Sequence, residues 1–163
     1  MNFSFIKDIF NRRAEKSIYK SLGLKAAKIG GRKVLIDPTI DWDGRKDPWR
    51  GRTNRERAKL GYPPIDKNNK PKELHHEGQD PKGRLVELPR DVHRGPGTSG
   101  ILHPYNSKGS RFIGENNRGN WKKQQKQYWK NRADSLPPIE DVLDGVTDVL
   151  NGFCNLINKF NKK

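Results

Sequence analysis

The sequence predicts a small α+β domain with helices toward both ends and a short β-hairpin between them. Three observations predict it. Apolar residues recur at three- and four-residue spacing near both termini, the period of one helical face. Between them, two strand-like runs flank the turn sequence Asp80-Pro81-Lys82-Gly83. Hydrophobic residues make up only 31% of the 163, against 33% charged. Typical soluble domains reach ~45–50% apolar with glycine counted, so a small core is expected rather than several packed layers.

Residues 3 to 29 read mainly as helix. Phe3, Ile6 and Phe10 share a face, and Ile18, Leu22 and Ala26 continue the spacing. Gly30-Gly31 ends the pattern, and Lys33 to Ile36 is a short strand closed by Pro38. Residues 37 to 72 carry little expected core. Within them, Thr53 to Gly61 reads as two helical turns, with Thr53 as cap, Glu56 three residues on and Gly61 as the stop. Asn68-Asn69 fits a hairpin tip.

Glu73 to His76 reads as a strand end and Arg84 to Leu88 as the returning strand. Pro89 opens a short segment through His93. Gly95 to Gly100 reads as a flexible loop that runs into Ile101-Leu102-His103-Pro104. Asn120 to Asp134 is helical. Trp121, Tyr128 and Trp129 share one face, read as core, while Lys122, Lys126 and Lys130 form a stripe suited to phosphate contacts. Ser135-Leu136-Pro137-Pro138 breaks the chain before an amphipathic helix from Ile139 to Lys163. The expected organisation is an N-terminal helical segment and strand over 1–36, a central domain over 37–134 and a C-terminal helix over 135–163, which offers packing or an oligomer contact.

Lys and Arg number 34 and Asp and Glu 19, a net charge of +15. A polyanionic partner follows, nucleic acid first and acidic membrane second. No apolar run reaches the ~18 residues of a membrane span, and the start of the chain does not read as a secretory signal. The single cysteine, Cys154, excludes an internal disulfide and a cysteine-built zinc site. It reads as a small buried residue of the C-terminal stripe.

All four histidines fall between positions 75 and 103. Scattered surface histidines have no reason to cluster so, and neutral imidazole is the commonest metal ligand. His75 and His76 are neighbours, and neighbours on a strand point to opposite faces. One imidazole can then hold a metal while the other takes a proton from water. His93 and His103 are placed to complete the metal shell. Glu73 and Glu77 stand either to orient an imidazole or in solvent. Arg94 stands either to clamp a phosphate or as surface charge.

The stretch Glu73-Leu74-His75-His76-Glu77-Gly78-Gln79 resembles the LHH signature of bacterial toxin nucleases in the HNH / endonuclease VII superfamily. Thr53 to Ile65 is similar to that family's Thr-Asn-x-x-Arg lead-in. Leu85 to Leu88, Val92-His93-Arg94, Leu102-His103-Pro104 and Gln127 to Ala133 are similar in turn, so the resemblance spans roughly 37 to 134. It implies a ββα-metal (His-Me finger) core, with His75 as a metal ligand, His76 as general base, and His93 and His103 as the further ligands. The middle Asn of many such hairpins has no match here; Gln79 or a backbone carbonyl takes its place in this reading.

The expected function is a metal-dependent, largely sequence-nonspecific endonuclease in which Arg94 and a divalent ion stabilise the developing charge. DNA is the expected substrate, with RNA open. The ion is zinc, nickel, manganese or magnesium. The resemblance also implies a toxin role, an acidic immunity protein as partner, and delivery into a target cell by a carrier; a cytoplasmic nuclease is the alternative location. The alternative function is a nonenzymatic basic nucleic-acid-binding protein whose histidines hold a structural metal.

Overall fold

The computed structural model describes residues 3–105 and 118–138. Helix α1 runs Phe3–Ser21, and strands β1 (Lys25–Ile29) and β2 (Arg32–Ile36) follow it as a hairpin. The helical spacing of Ile18, Leu22 and Ala26 therefore does not hold to its end. Gly23 lies at φ 65, in the left-handed region that closes helices, and Leu24 N–H returns to the Tyr19 carbonyl at 3.2 Å. Ala26 instead pairs with Leu35 across the hairpin. Gly30 and Gly31, both at positive φ, make the two-residue turn that joins paired Ile29 and Arg32.

Helix α2 (Asn54–Lys59) precedes strands β3 (Glu73–His76) and β4 (Leu85–Leu88). Helices α3 (Arg90–Arg94), α4 (Ser99–Leu102) and α5 (Arg118–Asp134) complete the described fold. The hairpin expected around Asp80–Gly83 is present, with His75 opposite Val86. Gly83 is required there, since a Cβ would stand 2.5 Å from the Glu77 carbonyl oxygen. The sheet has the order β1-β2-β4-β3, with β2 and β4 parallel and the outer pairs antiparallel. One sheet thus joins the N-terminal hairpin to the histidine-bearing one.

Strand alternation sorts the core onto two faces. Val34, Leu74 and Leu85 pack against Tyr128, Trp129 and Ala133 of α5. Leu35, Val86 and Leu88 pack against Tyr19 of α1 and Leu102 of α4. Each fully buried aliphatic side chain contributes roughly 1.5–3 kcal/mol. Tyr128 and Trp129 are core, as their spacing predicted. Among the buried charged residues, Glu87 is fully buried on the α5 face. It accepts from Asp37 N–H at 2.7 Å, the Tyr128 hydroxyl at 2.8 Å and Arg132 Nε at 3.0 Å. Burial still pushes its carboxyl above the ordinary range, despite the pull of Arg132.

Three further expectations need correcting. Gly95–Gly100 is not all loop, because α4 begins at Ser99. Leu102, fully buried between α1 and the sheet, supplies the packing that holds this single turn as helix. Residues 37–72 also contribute more core than their composition suggested. Ile40, Ala58, Pro64 and Ile65 are buried, alongside buried polar residues such as Asn54 and Asp47. Asn54 donates to the carbonyls of Asp41 and Ile65 and accepts from Ile65 N–H at 2.7 Å. The capping box of Thr53 and Glu56 is formed. Phe10, expected on an apolar face, is 66% exposed. The helix expected over 139–163, with Cys154, lies outside the described residues.

Asp47 ties this polar region together. It accepts from Arg50 N–H at 2.6 Å, Trp49 N–H at 3.1 Å, and the Arg52 and Arg57 guanidinium groups at 3.1 Å each. Burial opposes its charge, but these bonds prevail and hold its pKa at about 2. A carboxyl depressed by folding contributes stability that is complete above its ordinary pKa and is lost as pH falls toward the folded value. Urea unfolding should therefore show wild-type stability declining between about pH 4 and pH 2. Asp47→Asn should be less stable at pH 7 and should lose part of that acid dependence. An unchanged acid dependence in the variant would remove Asp47 from the account.

Candidate metal centre

Alternation along β3 decides the site. His75 and Glu73 face α1, α3 and α4; His76 and Leu74 face α5. His75 is 3% exposed. His93 arrives from α3, whose start is set by Pro89: its carbonyl accepts from Val92 and His93 N–H. Gly95 lets the chain turn sharply after α3, since a Cβ there would meet the Asp91 carbonyl at 2.1 Å. His103 closes α4, its N–H returning to the Ser99 carbonyl at 2.8 Å. The three rings converge. Their centroids lie 5.2 Å (His75–His93), 5.2 Å (His75–His103) and 4.7 Å (His93–His103) apart. Each offers a nitrogen, all within 4.8 Å of one another.

The partners of these rings fix which nitrogens face inward. His75 Nε2 lies 2.9 Å from Glu15 Oε1, His93 Nδ1 2.6 Å from Glu73 Oε2, and His103 Nδ1 3.1 Å from the Ser99 carbonyl. An oxygen of a carboxylate or carbonyl only accepts, so each of those nitrogens carries the N–H. In the neutral rings the opposite nitrogens hold lone pairs. His75 Nδ1 and His93 Nε2 then face each other at 3.3 Å. Two lone pairs so placed repel unless a cation lies between them. Tetrahedral zinc with imidazole at ~2.0–2.1 Å separates its ligands by roughly 3.4 Å. The donor set therefore fits a nitrogen-liganded divalent metal, each imidazole held from behind by an oxygen.

Burial favours the neutral form of His93 and His103. Burial, with His75 and His103 adjacent, brings His93 down to about 4 against the pull of Glu73. Burial and His75 also lower His103. Glu15 is held below the ordinary carboxylate range: burial opposes its charge, but bonds from His75, Tyr19 and Gly78 N–H outweigh it.

On the other face of the strand, the His76 ring lies over Trp121 of α5, with centroids 4.4 Å apart. Burial and the positive charge of Arg32 bring His76 to about 4, so it is neutral near pH 7. Arg32 reaches from β2 to the carbonyls of Pro81 and Gly83, both at 2.9 Å, and so holds the turn beyond His76. A cavity of about 300 Å³ opens beside this region, lined by Pro63, Glu73, His93, Arg94, Trp121 and Gln125.

Other sequence-predicted residues fall as follows. Glu73 orients His93. Glu77 instead pairs with Arg84 at 2.7 Å. Arg94 is 66% exposed along its side chain and forks onto Glu73, at 2.9 and 2.7 Å. Gln79 accepts from Tyr105 N–H at 2.8 Å, so it braces the chain beyond His103 rather than the His76 loop. Lys122 and Lys126 are exposed and Lys130 is half-buried. Sequence reasoning missed Glu15, on a helix far from the histidines, and the tilted contact of Trp121 with His76. No local signal marked Glu15; the helical face it shares with Tyr19 four residues on was the only trace.

A family model described as LHH, a nuclease of the HNH/ENDO VII superfamily with conserved LHH, matches residues 53–135. Neither the curated proteins nor the solved structures gave a match.

Proposed function

The chain belongs to the LHH nucleases of the HNH/ENDO VII superfamily, and on that premise we propose that it is a metal-dependent endonuclease that cuts DNA with little regard to sequence. The observation that carries this reading is the convergence of His75, His93 and His103, each with its outer N–H anchored on an oxygen. Among the described residues that group comprises three histidines. Catalytic sites pair three protein ligands with an open position, whereas structural zinc sites are closed by four. This favours the enzyme over a binding protein with a structural metal.

His75, His93 and His103 hold the ion in this reading. A bound divalent ion supplies Lewis-acid stabilisation of the charge that develops on the phosphodiester. His76, neutral and on the opposite face of the same strand, accepts the proton of the attacking water. Trp121 fixes the plane of that ring. Arg94, beside His93 at the cavity, adds a guanidinium against the phosphate, and Glu73 sets its direction. Lys122, Lys126 and Lys130 meet backbone phosphates, which carry no sequence information. The product carries a 5′-phosphate. Nitrogen ligands rank zinc, nickel and manganese above magnesium.

The biological reading is a toxin used against competing bacteria, blocked by an acidic immunity protein and carried into the target cell by a larger assembly. The net charge of +15 supports an acidic partner as well as a nucleic-acid substrate. Among the described residues no helix is long and apolar enough to cross a membrane. Plasmid DNA incubated with the chain and a divalent ion tests the reading on a gel. Nicked and linear products are expected, and single-stranded RNA in parallel sets the substrate preference. Retarded but intact plasmid would establish the binding protein instead.

A further inference from the structure

We infer that Glu15 is a positioning residue of the metal centre, and that helix α1 is therefore a working part of it. The inference rests on the proposed metal site and adds to it a component from outside the matched residues 53–135. Glu15 is 60 positions from His75 in the chain, and both are only 3% exposed. A carboxylate hidden this deeply needs partners for its charge. Its partners all lie on one side of the site. His75 Nε2–H donates to Oε1 at 2.9 Å, and Gly78 N–H donates to both oxygens at 2.9 and 3.1 Å. The Tyr19 hydroxyl, one helical turn on, donates to the same Oε1.

Each bond removes a freedom from His75. Tyr19 and Gly78 fix the carboxylate, and the carboxylate fixes the ring. Gly78, two residues after His76 and at φ 67, donates its N–H to Glu15. With Nε2 committed to carrying a proton, Nδ1 is the nitrogen left to bind. It is also the nitrogen that faces His93 Nε2 at 3.3 Å. Without Glu15, the ring is free to move its proton to Nδ1, which would point an N–H at the ion. Glu73 does the same for His93 and the Ser99 carbonyl for His103. Glu15 differs in coming from α1, which also packs Tyr19 beneath the sheet. The Glu15–His75 bond thus ties α1 to the centre.

The test uses the full chain and reads the ring before it reads activity. In metal-free protein, two-bond ¹H–¹⁵N spectra should show His75 as the Nε2–H tautomer. In Glu15→Ala that tautomer should give way to a mixture, and zinc affinity by competition with a chromogenic chelator should fall about 10–100-fold. Glu15→Gln keeps an acceptor oxygen and should retain the tautomer with a smaller loss of affinity. Ile18→Ala loosens the packing of α1 without touching the bond, and should leave the tautomer and affinity near wild-type even as the melting temperature drops. Unchanged zinc affinity and tautomer in folded Glu15→Ala would overturn the inference while leaving the nuclease reading standing. So would an equal loss of affinity in Ile18→Ala, which would make Glu15 merely structural. Wild-type protein that binds no zinc would overturn the metal centre itself, and this inference with it.

Discussion

His76→Ala should lose DNA cleavage by about 10²–10⁴-fold, the contribution of a general base, while its metal affinity stays near wild-type. The two results separate because β3 separates the two rings. His75 points toward α1, α3 and α4, where His93 and His103 lie; His76 points to α5 and rests on Trp121. Removing the His76 imidazole therefore subtracts no ligand and disturbs no anchoring oxygen. The ring is neutral near pH 7, because burial and Arg32 disfavour its charged form, so it can accept a proton where a charged one could not. Plasmid nicking by the variant gives the rate, and zinc competition gives the affinity. A melting temperature near wild-type would show that loss of packing on Trp121 is not the cause. Full cleavage by the variant would take His76 out of the mechanism. Lost zinc affinity would place it among the ligands.

The sequence made one half of the site legible and hid the other. The hairpin could be read from local chemistry: a strand end, an Asp-Pro turn and an apolar return. Because strand period is two, adjacent histidines had to diverge, and they do. That His93 and His103 would meet His75 was suggested by clustering in the chain, and it holds because two short helices fold back over one sheet face. The parts that escaped depend on distant contacts. Lys25 to Ile29 continues a helical apolar spacing, and only Gly23 and pairing with β2 make it a strand. Glu15 sits among Lys16, Ser17 and Lys20, where a carboxylate reads as solvated. Its burial comes from docking against Gly78 and His75, a contact that no local pattern encodes. Arg55 and Arg57 of α2 are likewise buried, on Asp43 and Asp47, contacts that depend on the chain folding back.

Removing metal should stop cleavage and also lower the melting temperature, and the second effect follows from the lone pairs. With their N–H groups turned outward to Glu15 and Glu73, His75 Nδ1 and His93 Nε2 face each other at 3.3 Å. Turning a ring over would relieve the repulsion, but it would cost a hydrogen bond to a carboxylate and leave that carboxylate short of a donor. A cation held by these nitrogens binds the native state alone and stabilises it by mass action. At free metal of about 100 times Kd this amounts to roughly 2.7 kcal/mol. For a chain of this size that corresponds to a rise of about 5–10 °C. Thermal melts of chelator-treated protein, with and without zinc, measure it directly. His93→Ala removes one of the facing nitrogens, so its metal-free form should lose the repulsion and its melting temperature should respond little to zinc. Cleavage should fail in the same variant and in wild-type protein under chelator, and return to wild-type alone when a divalent ion is restored. Melting temperatures indifferent to metal, with cleavage indifferent to chelator, would mean that the three imidazoles share a proton rather than a metal, and the nuclease would have to work without one.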